Sequence, residues 1–181
     1  MMPEMMLKEW STIIGALESG EQLVILRKGG IMEAASGFIV QSDRFLLYPT
    51  WEHQTAHNIR EPYLHYMRQE RPPSNINTIT SYAQVLHEQD ILSDDTIQRL
   101  EEFHIWSREY IQNRRAWQPQ RPIKAVFLRV FRINPIQIPI LDEYSGCKSW
   151  LDSDVVCDGG RPILDDKQIK LQLEKFQSIV S

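Results

Sequence analysis

Apolar residues recur along the chain in two periods, and the switches between them lay out the elements. From Ile123 to Ile133, Ala125, Phe127, Arg129 and Phe131 alternate with Val126, Leu128, Val130 and Arg132, the period-two pattern of a strand. Both faces are largely apolar, which places this strand centrally in a sheet, and Asn134–Pro139 breaks it. Leu7–Glu18 predicts a helix, with Leu7, Trp10, Ile13, Ile14 and Leu17 on one stripe and Gly20 placed for a left-handed C-terminal cap. Gln22–Arg27 follows as a strand, and Gly29–Gly30 supplies a tight turn. Phe38–Val40 and Phe45–Tyr48 read as paired strands around Ser42–Asp43. Pro49 ends the second, Thr50 caps a short helix Trp51–Arg60, and Pro62 stops it. Thr78–His87 alternates weakly as a strand, with a helix as the competing reading. Ser93 caps a helix that opens on Asp94 and Asp95 and carries Ile97, Leu100 and Phe103. That helix runs, with a break near His104–Trp106, to about Arg115. Asp165 or Asp166 caps a last helix striped by Ile169, Leu173, Phe176 and Val180.

Strands and helices do not alternate strictly, so the fold class is α+β: a single domain over residues 1–181 with a mixed or antiparallel sheet flanked by helices. At 42% hydrophobic and 24% charged residues the chain supports a core. No apolar run reaches the ~18 residues of a membrane span, and Pro3 and Glu4 interrupt what a signal peptide would need. The expectation is a cytoplasmic protein with no membrane partner. Cys147 and Cys157 form neither a disulfide framework nor a zinc knuckle.

Charge is unevenly spread. The net charge is −4, yet Phe103–Pro135 holds seven basic residues against Glu109 alone. Val85–Glu102 holds six acids against Arg99. This asymmetry points to one basic surface on an acidic molecule. Trp106, Tyr110 and Trp117 are interleaved with the arginines, the combination of stacking rings and phosphate-binding cations that single-strand binding uses. The plainer reading pairs Arg129 and Arg132 with the acidic helix Ser93–Glu102.

Two polar turns carry the other candidate chemistry. Arg27–Lys28–Gly29–Gly30 offers cations and approachable backbone N–H groups to an anion, but lacks the Walker A string. Tyr48, Thr50, Glu52 and His53 come together where strand Phe45–Tyr48 turns into the next helix. His53 and His57 share a face of that helix at the spacing of a zinc-protease pair, without the glutamate after the first histidine. Cys147–Lys148–Ser149 forms a third polar turn, whose bland reading is a structural turn packed under Trp150.

Trp10, Leu26–Ile31 (LRKGGI), Tyr48–Gln54 (YPTWEHQ), His104–Trp106, Leu128–Val130, and Tyr144 with Gly146–Trp150 (GCKSW) occur in that order. Together they resemble the bacterial domain-of-unknown-function family numbered 1802, over about Leu7 to Trp150. That resemblance implies no established activity and no active site; some members occur beside restriction-enzyme domains, which implies a role near DNA.

The reading that follows is a non-catalytic module for a nucleic acid or a phosphorylated small molecule. Its ligand residues are Arg27, Lys28, Gly29, Gly30, Tyr48, Thr50, Glu52, His53, Arg114, Arg115, Arg121 and Lys148, with no cofactor and no metal. The first alternative is a metal-dependent hydrolase or nuclease using Glu33, Glu52, His53 and His57. The second is a protein-interaction subunit whose acidic and basic faces meet a partner.

Overall fold

The structure, a computed structural model, describes residues 2–28, 37–67, 71–72 and 75–181. Strands β1 (Met5–Trp10), β2 (Val24–Arg27), β3 (Arg44–Thr50), β4 (Ile76–Ile91), β5 (Ile123–Pro139) and β6 (Trp150–Leu151) form one sheet in the order β2-β5-β4-β3-β1-β6. A two-residue strand β7 (Arg161–Pro162) pairs with β5 off this path. β1 runs parallel to β3 and the remaining ladders are antiparallel, so the sheet is mixed and the α+β class holds. The helices are α1 (Ser11–Ser19), α2 (Asp94–Arg99), α3 (Arg108–Ala116) and α4 (Asp166–Val180). No helix among the described residues is long and apolar enough to cross a membrane.

The long β4–β5 pair is the spine. β5 is central as its pattern requires: Val126, Leu128 and Val130 pack on one face, Ala125 and Phe127 on the other. It runs six residues past the expected end at Ile133, because Ile136 and Ile138 find partners in Ile79 and Asn77 of an equally long β4. Register shifts at Ile79/Ser81 and Val85/His87 bend this pair and curl the sheet. Helix α1 fills the concave side, where Ile13, Ile14 and Leu17 meet Leu7, Leu47 and Leu128. A second core lies under α2 and α4, around Phe103, Phe127 and Phe176.

Four sequence expectations change. The predicted helix Leu7–Glu18 starts only at Ser11. Met5–Trp10 is a strand, whose backbone is taken by β3 and β6 and whose Met6 and Leu7 are buried in different cores. Here tertiary pairing overrides a helical spacing that Leu7 and Trp10 satisfy by coincidence. Phe38–Val40 forms no strand; Phe38 is a buried ring against Trp150. β3 does not stop at Pro49 but continues to Thr50. Its pairing with β4 has ended by Leu46, so the missing Pro49 N–H costs no ladder bond on that side. Thr78–His87 is strand, as the sequence expects, within the longer β4.

The fourth change matters most for the site. Trp51–Arg60 is not a helix: it is a turn, one 3-10 turn at Ala56–Asn58, and a bridge from Ile59 to Trp106. His53 takes a left-handed φ of 64°, which no helix tolerates. The Thr50 hydroxyl donates to the Glu9 carbonyl instead of capping. Gln54 faces α1, where its Oε1 accepts from Thr12 N at 3.0 Å and satisfies an N-terminal donor of that helix. The Gly20 cap, the Ser93 N-cap, the break at His104–Trp106 and the Asp165 cap all stand as the sequence predicts, the last as a capping box with Gln168.

Candidate functional site

Helix α3 runs from the 3-10 turn Ala56–Asn58 to Lys28. Its N-cap Ser107 donates through Oγ to the His57 carbonyl at 2.6 Å and through its backbone N–H to the Asn58 carbonyl at 2.8 Å. At the other end, about 13 Å on for nine residues, the Lys28 ammonium donates to the Arg114 and Arg115 carbonyls, each at 3.0 Å. Those carbonyls are among the last of the helix and carry its negative pole, which a cation complements. Lys28 is buried, with 1% of its surface exposed. Burial lowers its pKa first, and the nearby Arg115, Arg114 and Arg121 lower it further.

Beside this helix Arg27 ties the two margins of the curled sheet. It projects from β2 and donates to the Lys8 carbonyl (3.0 Å), to Glu9 Oε2 (3.3 Å) and to Ser149 Oγ (2.8 Å), reaching β1 and the turn before β6. Its guanidinium lies 4.9 Å from the centre of the Phe38 ring. Glu9 is buried; burial pushes its carboxyl up, against the opposing pull of Arg27. Tyr110 of α3 covers the same corner, its ring 5.2 Å from Trp10 and 6.1 Å from Trp106. Burial raises its pKa as well.

A band of cations results. Arg115, Arg114 and Arg121 all act on the charge of Lys28, Arg114 also acts on Glu9 and Tyr110, and Lys148 lowers the pKa of Lys8 after burial does. Arg115 is spent locally, on Asp94 (2.8 Å) and the carbonyls of Leu92 and Pro119. Arg114, Arg121 and Lys148 pair with no carboxylate among the described residues. Trp117, 37% exposed, stands beside Arg114 with its ring centre 5.9 Å from the guanidinium. The rest of the basic segment is neutralised: Arg108 by Glu101, Lys124 by Glu88 and Asp90, Arg129 by Asp166, and Arg132 by Glu18. Arg129 and Arg132 are thus ion-paired, but with acids outside Ser93–Glu102.

The structure brings Arg27 and Lys28 together with Arg114, Arg115 and Arg121, three residues some ninety positions away. Lys148 lies at the Lys8 end, its ammonium on the Glu143 carbonyl. Gly29, Gly30 and Glu33 lie outside the described residues. Tyr48 is buried on the other face of the sheet against Tyr144, and Thr50 bonds β1. Glu52 pairs with Arg71, and His53 is exposed. With the helix gone, His53 and His57 no longer share a face. Among the described residues no three His, Cys, Asp or Glu side chains converge as a metal set would. Sequence reasoning misses Lys8 and Glu9, because the helical stripe drawn over Leu7–Glu18 takes them in; the alternation of Leu7 and Glu9 with Lys8, a strand period, is the available signal.

A curled mixed sheet plugged by a helix, with its open corner covered by a second helix, defines a class of small α+β protein. The crystal structure of ASCH from Zymomonas mobilis has this fold: the TM-score is 0.50 at 16% identity, covering 95% of this chain and 94% of that one. Crystal structures of a serine-to-alanine and a tyrosine-to-phenylalanine mutant of that protein align with TM-scores of 0.48 and 0.49 at 14% and 15% identity. They cover 96% and 95% of this chain, and 99% and 97% of theirs. No curated protein matches in sequence. The model of the family called domain of unknown function DUF1802 matches residues 6–175, and the chain belongs to that family.

Proposed function

We propose that the chain is a non-catalytic module that binds single-stranded nucleic acid along the cationic band of α3. Arg114, Arg121 and Lys148 take phosphates, and Trp117 offers its ring to a base. The observation that carries this reading is the gathering of Arg114, Arg115 and Arg121 around Lys28, where each lowers that residue's pKa and Asp94 is the acid opposing them. Arg115 is matched by Asp94, but Arg114 and Arg121 pair with no carboxylate among the described residues; such like charges are costly in the free protein and favourable once an anion spans them. A phosphorylated small molecule shares the phosphate chemistry but leaves Trp117 and the length of the band unused.

In this reading Arg27 and Lys28 act as positioning residues: one locks the sheet margins and the other anchors the helix that displays Arg114. His57 and Asn58 have the same role at the opposite end of α3, through Ser107. The test is a fluorescence-anisotropy titration of labelled single-stranded RNA and DNA at low salt, with inorganic phosphate and a nucleoside monophosphate as competitors. Saturable oligonucleotide binding that millimolar monophosphate does not displace supports the module. Displacement by the monophosphate at equal concentration assigns the site to a small ligand instead.

A further inference from the structure

Between α2 and α3 opens a cavity of about 410 Å³, within the size range of small-molecule sites. Its walls are Ile97, Ile111 and Ala116, and His104 and Trp106 form its buried side. Both are 3% exposed. His104 Nδ1 and Trp106 Nε1 are buried without a hydrogen-bond partner among the described residues. Buried ring nitrogens are rarely left so, and each costs stability while unpaired. Their rings lie 5.4 Å apart on that buried side.

The rim sets the charge of that ligand. Asp94 is matched by Arg115 at 2.8 Å, and Glu101 by Arg108 through two bonds of 3.0 Å. An anion or a cation entering here would compete with pairs already made. The buried side is uncharged as well, since burial holds the His104 imidazole neutral down to a pKa of about 3.

We propose that this cavity is a binding site for an uncharged heteroaromatic ring of nucleobase size and polarity, whose in-plane polar atoms meet the Trp106 N–H and the His104 imidazole. Ile97 and Ile111 supply the apolar contact that a flat ring requires. The ring belongs either to a strand held on the neighbouring cations or to a free nucleoside-like molecule. The cavity supports this inference without the phosphate reading, and the probes below carry no phosphate.

The experiment is calorimetric titration of the protein with adenosine, guanosine, cytidine and uridine, repeated on two variants. Saturable binding of at least one nucleoside is expected. Ala116→Trp fills the cavity mouth from an exposed helix position and should weaken binding at least tenfold. His104→Phe keeps the ring and removes the nitrogens, and should weaken it to a similar degree. No binding of any nucleoside at millimolar concentration overturns the proposal, as does unchanged binding by Ala116→Trp. If His104→Phe does not fold, Ala116→Trp decides. Competition with an unlabelled oligonucleotide separates the two sources: displacement assigns the ring to a strand, and its absence assigns it to a free molecule. Both results uphold the pocket. Nucleoside binding in a protein that binds no oligonucleotide would refute the nucleic-acid reading and leave this one standing.

Discussion

The Lys28 ammonium sits 3.0 Å from both the Arg114 and the Arg115 carbonyl oxygens, so a lysine that ends one strand terminates a helix eighty-six residues later. A cation in an arginine-lysine-glycine turn reads as an anion ligand, yet it donates two hydrogen bonds to the helix's negative pole. Lys28→Met keeps the apolar stem and strands two carbonyls. The expected loss is about 1–3 kcal/mol, measured by urea denaturation. An unchanged midpoint would show that Lys28 does not hold α3.

Gln54 makes a comparable link at the other end of the site. Its Oε1 accepts from Thr12 N at 3.0 Å and closes the first turn of α1. Gln54→Ala should cost about 1 kcal/mol. Gln54→Glu retains the acceptor and places a negative charge at a helix N-terminus, so it should cost less. Equal losses from both substitutions would contradict the capping role.

His104 predicts an acid limb of stability. In the unfolded chain it takes a proton below its ordinary pKa of 6.5, whereas in the fold it does so only near 3. The unfolded state therefore binds more protons across that window, and stability falls as pH drops from 6.5 toward 3. Between pH 7 and pH 5 the contribution is on the order of 2 kcal/mol. His104→Phe should flatten this limb in urea denaturation at the two pH values. An equally steep limb in the variant would assign the acid sensitivity to other groups.

Much of the fold is legible where a local signal and the tertiary context agree. The period of β5, the Gly20 cap and the Asp165 cap are such cases. Trp10 shows the opposite: its spacing to Ile13 and Ile14 is helical, but it ends a strand, and only the partners Tyr48–Thr50 on β3 reveal that. Trp51–Arg60 has the cap-like Thr50 and a helical histidine pair, yet Gln54 is drawn to α1 and His53 turns left-handed. Those interactions run between segments about forty residues apart, which no local window contains. The site divides in the same way. The excess of arginine in Phe103–Pro135 is plain in the sequence. Which arginines stay without a carboxylate depends on where Asp94, Asp166 and Glu18 land, and that is fixed by the sheet order. The cavity between α2 and α3 was hidden for the same reason: His104 and Trp106 read as a helix break, and only packing shows what they enclose.

The central claim is that Arg114 and Arg121 contact phosphates while the ion-paired arginines do not. The most direct measurement is the salt dependence of single-stranded oligonucleotide binding for wild type, Arg114→Ala, Arg121→Ala and the control Arg132→Ala, whose guanidinium pairs with Glu18. Each lost phosphate contact should reduce the slope of log affinity against log salt by about 0.7. The account predicts that reduction for Arg114→Ala and for Arg121→Ala, and an unchanged slope for Arg132→Ala. No binding by the wild type at low salt, or the same slope change in all three variants, would contradict it.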